Sequence, residues 1–353
     1  MAWPGTPSTT TGTQLGSAVT SLFQRAMLEA MYPMFRFYTY ATKTNLPTNA
    51  GQAIVWNREV SLLPGYKATE GYPISAVKTL STQQVSALVE TLTDAVTLSE
   101  RAFLTSTPDM DAYASRTLAK AAAGTVERFI IQALVADSVV PHYVKKAGSV
   151  INSNSVAVSA GASATALAMS DIRIAETRLE VNNITPFDNS GYLGIIHPTP
   201  KADVIGDSKF ETWNVYTTPE KMYDFEIGRA FNVRFVQSTL VPISVGSSDG
   251  NSLSVDKYQS VVVATTIFGA DAFGVTELDG GIQTFMHSGA SKVDPTNLTR
   301  VYGYKANLGA KVLNPSAMVM IWSDYGSQLT AVSSVSARLL AGLTCDTNQI
   351  AAW

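Results

Sequence analysis

Apolar residues recur along this chain in both helical and strand rhythm, and the change from one to the other divides it into segments. Leu15, Val19, Leu22, Phe23, Ala26, Met27 and Ala30 repeat at helical spacing and Pro33 follows, which predicts one amphipathic helix after an uncharged start rich in Thr, Ser and Gly. Its plain role is packing within its own subunit; the sharper one is an arm laid on a neighbour. In Ala53–Leu63, Ile54, Trp56, Val60 and Leu62 share one strand face, with Arg58 intruding on it, while Val55, Asn57, Glu59 and Ser61 share the other. Pro64-Gly65 is the expected tip, with Lys67, Glu70 and Gly71 beyond it. Mixed polarity on both faces suits a ribbon that stands away from its own core.

The segment Gln84–Leu98 fits two templates. Val85, Leu88, Val89, Leu92, Ala95 and Val96 match a helix about as well as Val85, Ala87, Val89 and Thr91 match a strand. Periodicity does not decide between them; the β-branched residues, with Thr91, Thr93 and Thr97, favour the strand. A long helix is expected next. Thr107 can cap it, Pro108 suits its first position, and Asp109 and Asp111 suit the positive end of its dipole. Ala119, Ala122, Val126, Ile130 and Ala133 then recur up to about Val135, giving a rod of about 40 Å.

From Ala147 to Ser170 charges vanish and small residues dominate, which predicts loop and irregular strand. A second helix starts at Ser170-Asp171, carries Ile172, Ala175 and Leu179 on one face and ends at Asn182-Asn183. Val261–Thr265, Gln283–His287, Arg300–Lys305 and Met318–Trp322 are expected strands, with turn signals at Asp249-Gly250 and Asp279-Gly280. In the tail, Leu329, Val332, Val335, Leu339, Leu340 and Leu343 can line one side of a helix, with Arg338 opposite. There is no internal repeat.

Composition narrows what such a chain can do. Its 353 residues, 46% of them hydrophobic, suffice for a sizeable core and about two domains. Only 15% are charged and the formal net charge is −3, so no global positive field holds nucleic acid, and any DNA contact is weak or local. The first charged residue is Arg25, so the N-terminal segment is no basic tail. The lone Cys345 cannot form an internal disulfide, and the start lacks the charged-then-apolar pattern of a secretory signal, which points to folding in the cytosol. Stretches such as Val261–Phe268 are too short and too interrupted to span a bilayer, so no membrane role is expected.

Candidate chemistry is sparse. His142, His197 and His287 are the only histidines, with no two at metal-ligand spacing and no cysteine near them in sequence, so a zinc site is not expected. There is no nucleophile elbow, phosphate loop or dinucleotide fingerprint. His197 ends a strand just before Pro198, where active sites often sit, but its preferred reading is a histidine that hydrogen-bonds backbone at a strand end. Asp203, Asp207 and Glu211 are spaced for acid–base work or for the wet face of a helix; the wet face is preferred because nothing nearby in sequence raises a pKa. Asn183-Ile-Thr185 and Asn297-Leu-Thr299 match glycosylation acceptors, a pattern common by chance. No catalytic residue, cofactor or metal is expected.

One segment carries more information than its periodicity. Gly191-Tyr-Leu-Gly-Ile-Ile-His-Pro198 is followed by Lys201-Ala-Asp-Val-Ile-Gly-Asp207, Trp213 and Phe225-Glu-Ile-Gly-Arg-Ala-Phe-Asn-Val-Arg-Phe-Val-Gln-Ser238. A buried strand stopping at His197-Pro198, a short helix and a strand ending at Ser238 resemble the middle of a tailed-phage major capsid protein, of the family named after the capsid protein of phage N-four. Gly51–Arg58 with Glu70-Gly71, Phe268–Gly274, Asp294-Pro295 through Tyr302–Lys305, and Ala310–Leu313 resemble further blocks of that family in the same order. The collinear match runs roughly from Asn49 to Ser323; residues 3–14 and 324–353 have no counterpart.

The resemblance implies an α+β chain with the tailed-phage major capsid fold. Residues 1–48 would be the N-terminal arm, 49–98 the extended β-hairpin loop with its flanking strands, and 99–185 the peripheral domain with its long spine helix. Residues 186–289 would be the axial domain, 290–323 the return to the peripheral domain, and 324–353 a C-terminal extension. It implies a structural protein that self-assembles into the icosahedral shell enclosing a viral double-stranded DNA genome, assembled in the host cytoplasm and resident in the virion. Its partners would be itself as hexamers and pentamers, genomic DNA on the inner face, weakly and without specificity, and, as further candidates, scaffold, portal and decoration proteins. Trp56, Arg58, Lys67 and Glu70 are the candidate inter-subunit contacts, because they lie on the ribbon. The alternative is the shell protein of a bacterial nanocompartment with the same fold, which would enclose cargo protein instead of DNA. A secreted adhesin would need an export signal, and an enzyme would need a polar pocket around His197 or the Asp203–Glu211 carboxylates.

Overall fold

The computed structural model describes residues 27, 29–31, 34–47, 49, 51–59, 78–105, 110–137, 139–146, 149–153, 165–187, 191–207, 226–245, 261–288, 296 and 298–324. The described elements begin with α1 (Phe37–Tyr40), β1 (Thr42–Leu46), β2 (Ala53–Glu59), β3 (Thr82–Leu88), β4 (Glu90–Ser99), α2 (Glu100–Thr105) and α3 (Met110–Val135). Next come β5 (His142–Lys146), β6 (Ser149–Ser153), α4 (Met169–Val181), β7 (Tyr192–Ile196), α5 (Pro198–Ile205), β8 (Glu226–Ala230), β9 (Val233–Gln237) and β10 (Ile243–Val245). The last are β11 (Val261–Phe268), β12 (Phe273–Ser288), β13 (Thr299–Val312) and β14 (Met318–Asp324). Compactness divides the chain into two units, one drawn from Met1–Ile130 and Phe273–Leu313, the other from Ile131–Ala272 and Asn314–Trp353. The expected axial block of residues 186–289 falls across this division, 186–272 in the second unit and 273–289 in the first.

In the first unit the strand order is β1-β12-β13-β4, with β1 parallel to β12 and the other pairs antiparallel. Alternation along β13 buries Tyr302, Tyr304, Ala306 and Leu308 on one face. Helix α3 covers that face: the Tyr304 hydroxyl donates to Thr125 Oγ1 at 3.1 Å, and the Tyr302 hydroxyl to the Asp111 carboxylate. The helix turns Leu118, Ala119, Ala122, Ala123, Val126 and Ile130 inward, and the short alanines allow close approach to the sheet. Thr107 and Pro108, the expected cap, lie outside the described residues. Of the expected helix Leu15–Ala30, Met27, Glu29 and Ala30 are described and helical.

The ambiguous segment Gln84–Leu98 is strand, and the reason is long-range. Its first part pairs with β2 and its second with β13, with a break at Val89. The expected turn at Asp279-Gly280 is not a chain reversal. Both residues lie inside the 16-residue strand β12, where pairing with β13 jumps from Glu277↔Leu308 to Ile282↔Ala306. Strand β13 runs on past the irregularity and holds both halves of β12, so the surplus residues are absorbed as a bulge, with Gly281 at φ 74°.

The second unit is built on an eight-stranded sheet with the path β6-β5-β14-β11-β7-β9-β8 and β10 beside β11. The pairs β7–β9 and β5–β14 are parallel. Strands β7 and β14 are buried along nearly their whole length, as expected of a sheet covered on both faces. On one face Met169, Ile172, Ala175 and Leu179 of α4 pack with Tyr192, Ile196, Phe235, Ile267, Val319 and Ile321. Val262, Ala264 and Trp322 form a smaller cluster joined by Val135. Helix α4 starts at Met169, and the Asp171 carboxylate accepts from Ala168 N at 3.0 Å, tying its first turn.

Candidate assembly surfaces

The ribbon β2–β3 is set by an antiparallel register running from Ala53↔Leu88 to Glu59↔Thr82. Facing residues share a side, so Ile54/Ala87, Trp56/Val85 and Arg58/Gln83 point one way and Ala53/Leu88, Val55/Ser86 and Asn57/Gln84 the other. On the first side every residue but Gln83 is at least half-buried; the second is exposed throughout, with Val55 at 50% and Leu88 at 65% exposure. The faces therefore divide as the sequence pattern predicted. What the sequence did not reveal is how the first side is held.

Trp56 is engaged by its own subunit. Its indole N–H donates to Thr44 Oγ1 on β1 at 3.1 Å. A Cβ added to Gly274 on β12 would stand 3.2 Å from Trp56 Cζ2 and 3.1 Å from Leu313 Cδ1, so the ring lies where a glycine leaves room. At the other end of the ribbon Val89 N donates to Gln52 O at 3.0 Å. Arg58 lies on the same side as Trp56, one pair farther along, half-buried and with no partner among the described residues. Lys67 and Glu70 fall outside the described residues.

A second anchor was missed in the sequence. Glu127 is fully buried on α3, and its carboxylate accepts from three consecutive backbone N–H groups: Arg36 at 2.9 Å, Phe37 at 3.0 Å and Tyr38 at 3.1 Å. It satisfies the open donors at the start of α1 and so fixes the segment that leads into β1. Burial holds its carboxyl above the ordinary value of 4.5, against the lowering effect of those three donors and of the Arg36 charge. A signal existed: Glu127 is a single acid within the stripe Ala119, Ala123, Val126 and Ile130, which is otherwise apolar. Tyr38 adds to the anchor, its hydroxyl donating to the Glu277 carboxylate while Lys43 Nζ lies 4.1 Å from its ring centre.

The residues singled out for chemistry do not converge. His197 caps α5: Thr199 N donates to its Nδ1 at 3.3 Å and the Thr199 hydroxyl lies 2.8 Å from the same nitrogen. Burial lowers its pKa to about 4, so it is neutral at physiological pH and available as an acceptor, the backbone role expected for it. Asp203 corrects the wet-face expectation. It is half-buried, its Oδ2 has no hydrogen-bond partner among the described residues, and burial together with the negative charge of Asp324 raises its pKa. The helix stops at Gly206, so Asp207 leaves that face and its carboxylate accepts from Met169 N at 3.3 Å instead. Glu211 is outside the described residues. His142 accepts from the Trp322 indole at 3.2 Å inside the second sheet. Among the described residues no three His, Cys, Asp or Glu side chains are grouped to hold a metal ion, and no helix is long and apolar enough to cross a membrane.

No protein-family profile and no curated protein matches the chain. Solved structures do. The chain is similar to the capsid of Ralstonia phage GP4 with a TM-score of 0.60 at 8% identity, over 82% of this chain and 91% of that one. It is similar to the acid-stable capsid of Helicobacter pylori bacteriophage KHP30 with a TM-score of 0.59 at 12% identity, again over 82% and 91%. The capsid of cyanophage P-SCSP1u matches with a TM-score of 0.53 at 13% identity, over 81% of this chain and 87% of that one. At such identities the likeness is one of fold. The architecture is that of tailed-phage capsid proteins, as the collinear sequence blocks implied.

Proposed function

We propose that this chain is the major capsid protein of a tailed bacteriophage, a non-enzymatic building block that assembles into an icosahedral shell around double-stranded DNA. The observation that carries the reading is the capsid fold itself, matched over about four-fifths of the chain and nearly the whole of each relative. The arrangement of side chains is consistent with it. His197 and Asp207, which might have joined a reactive pocket, instead cap a helix and tie a segment, while a ribbon face of mixed polarity that carries Val55 and Leu88 is left uncovered by its own chain's described residues.

In this reading the arm is 1–48, the extended loop with its flanking strands is 49–98, the unit holding α3 and the β1-β12-β13-β4 sheet is peripheral, and the unit holding the eight-stranded sheet is axial. One sequence occupies rings of five and of six, so modest contacts on arm, loop and tail add up through closure of the shell. Arg58, Lys67 and Glu70 are inter-subunit contacts, and Trp56 sets the ribbon that carries them. DNA, scaffold, portal and decoration proteins are the further partners, the virion is the site of residence and the host cytoplasm that of assembly.

Negative-stain microscopy of the purified protein tests the reading. Closed particles, or rings of five and six subunits, are expected; a strictly monomeric protein at all concentrations sinks it. Within that frame Arg58→Glu combined with Glu70→Lys lowers the particle yield on a gradient, and an undiminished yield removes those two residues from the interface.

A further inference from the structure

The exposed side of α3 carries cations and no acid. Its exposed positions between Tyr113 and Arg128 are Tyr113, Arg116, Thr117, Lys120, Ala121 and Arg128. The helix has two acids and both are turned to other tasks. Asp111 is held by Tyr302 and by Arg300, whose Nη1 lies 3.8 Å from it, and Glu127 is buried on the backbone of residues 36–38. Arg116 and Lys120 have no partner among the described residues.

This placement is unfavourable for the helix taken alone. Like charges four residues apart, as at Arg116 and Lys120, destabilise an isolated helix by a few tenths of a kcal/mol. It also runs against the net charge of −3 for the whole chain. Between the cations stand short side chains, Thr117 and Ala121, so a protein partner would find little apolar surface to bury there beyond Tyr113. A polyanion needs none. Arg116 and Lys120 stand about 6 Å apart along the helix axis, a length over which duplex DNA carries about four phosphates.

We infer that this side of α3 is the surface that meets the genome, binding duplex DNA through its phosphates without reading sequence. The inference rests on the capsid reading for its partner and adds to it the face that meets DNA. Two phosphate contacts per subunit, from Arg116 and Lys120, give weak binding with marked salt dependence, which suits packing DNA against a shell without fixing it.

The test titrates the full-length protein against a duplex of about 30 base pairs, at salt from about 50 to about 200 mM. Over that range the wild-type affinity falls about twelvefold, a slope near −2, whereas Arg116→Gln combined with Lys120→Gln leaves it nearly flat. Arg116→Lys keeps the charge and the wild-type slope. Lys305→Gln with Lys311→Gln, which alternate onto the opposite face of the sheet from Tyr302 and Tyr304, also leaves the slope unchanged. Equal slopes for wild type and the Arg116/Lys120 variant overturn the inference, as does an equal loss from the Lys305/Lys311 variant. Stripe-dependent binding of polyglutamate without binding of DNA overturns it too, and assigns the face to an acidic protein. Shell formation, read in parallel by microscopy, separates the two questions: absence of shells in the wild type counts against the capsid reading, and the DNA titration alone decides the stripe.

Discussion

Strand β14 in the second unit and strand β3 in the first are both seven residues long, yet they use their side chains in opposite ways. Six of the seven residues of β14 are buried between β5 and β11, whereas five of the seven in β3 are exposed and its ladder is made with β2. The first strand is a keystone of its own unit. The second leaves Leu88, with Val55 of its partner strand, facing outward. The second unit packs β14 densely, while among the described residues the two-stranded ribbon leaves Val55 and Leu88 uncovered on a face of mixed polarity, and that contrast can be attacked from either side.

The largest effect is expected at the keystone. Ile321 is 3% exposed and packs within the cluster built by α4, β7 and β9. Ile321→Ala removes three carbons from a site that cannot collapse around the gap, at a cost of about 4 kcal/mol. The urea midpoint of the unassembled protein measures it. A midpoint within error of the wild type would deny β14 its central role and erase the contrast with β3.

Next in size is the polar anchor of the first unit. Glu127→Ala leaves three N–H groups at residues 36–38, two of them buried, without their acceptor and costs about 3 kcal/mol. Its pH signature is specific. A carboxyl whose folded value is raised contributes most below the ordinary value of 4.5, and that contribution declines as pH rises through the raised value. The stability gap between wild type and Glu127→Gln therefore widens on acidification. A gap that narrows as pH falls would mean that the three donors outweigh burial.

His197 behaves with the opposite sign and a smaller effect. Its folded pKa is lowered to about 4 from the ordinary 6.5, so its contribution is complete above 6.5 and is lost as pH falls towards 4. By pH 5 the loss is about 2 kcal/mol. His197→Asn keeps an acceptor for Thr199 N and has nothing to titrate, so the acid limb of its stability profile is flatter. An unchanged limb would place the acid sensitivity elsewhere, with Asp203 excluded by sign, since burial and the charge of Asp324 raise its pKa.

These contrasts also explain what could be read from the sequence. Helix α3, helix α4 and the strands around Tyr192–Ile196 and Met318–Trp322 announced themselves because their partners lie on one face, or on both, along the whole element, so local periodicity records the burial. The two faces of Ala53–Glu59 were legible for the same reason. Features that depend on a partner far away in sequence were not. The bulge between Glu277 and Ile282 reads locally as a turn, and only β13 continuing alongside makes it an irregular strand. Trp56 read as an outward contact because neither Thr44 nor Gly274 can be paired with it from spacing. Glu127 drew no reading from the sequence, although it breaks an apolar stripe, because its three donors come from about ninety residues upstream.

The smallest effect on stability is expected on the ribbon, and there it discriminates best. Val55 and Leu88 occupy neighbouring positions on the exposed side of the β2–β3 ladder, with Ser86 and Ala53 as their direct partners. Replacing them, as Val55→Thr with Leu88→Ser, removes apolar surface that the described residues leave uncovered, so the urea midpoint moves by less than about 0.5 kcal/mol equivalent. The same surface is removed from water if a second copy covers it, and each buried side chain of that size is worth about 1.5 to 3 kcal/mol per contact. Because a closed shell repeats every contact around its rings, a loss of that order at each subunit lowers particle yield far more than it lowers subunit stability. A variant with wild-type midpoint and sharply reduced yield on a gradient establishes β3 as the associative counterpart of β14. Wild-type yield would show that this face is simply wet, and would leave the arm and the ribbon's Arg58 side to hold the subunits together.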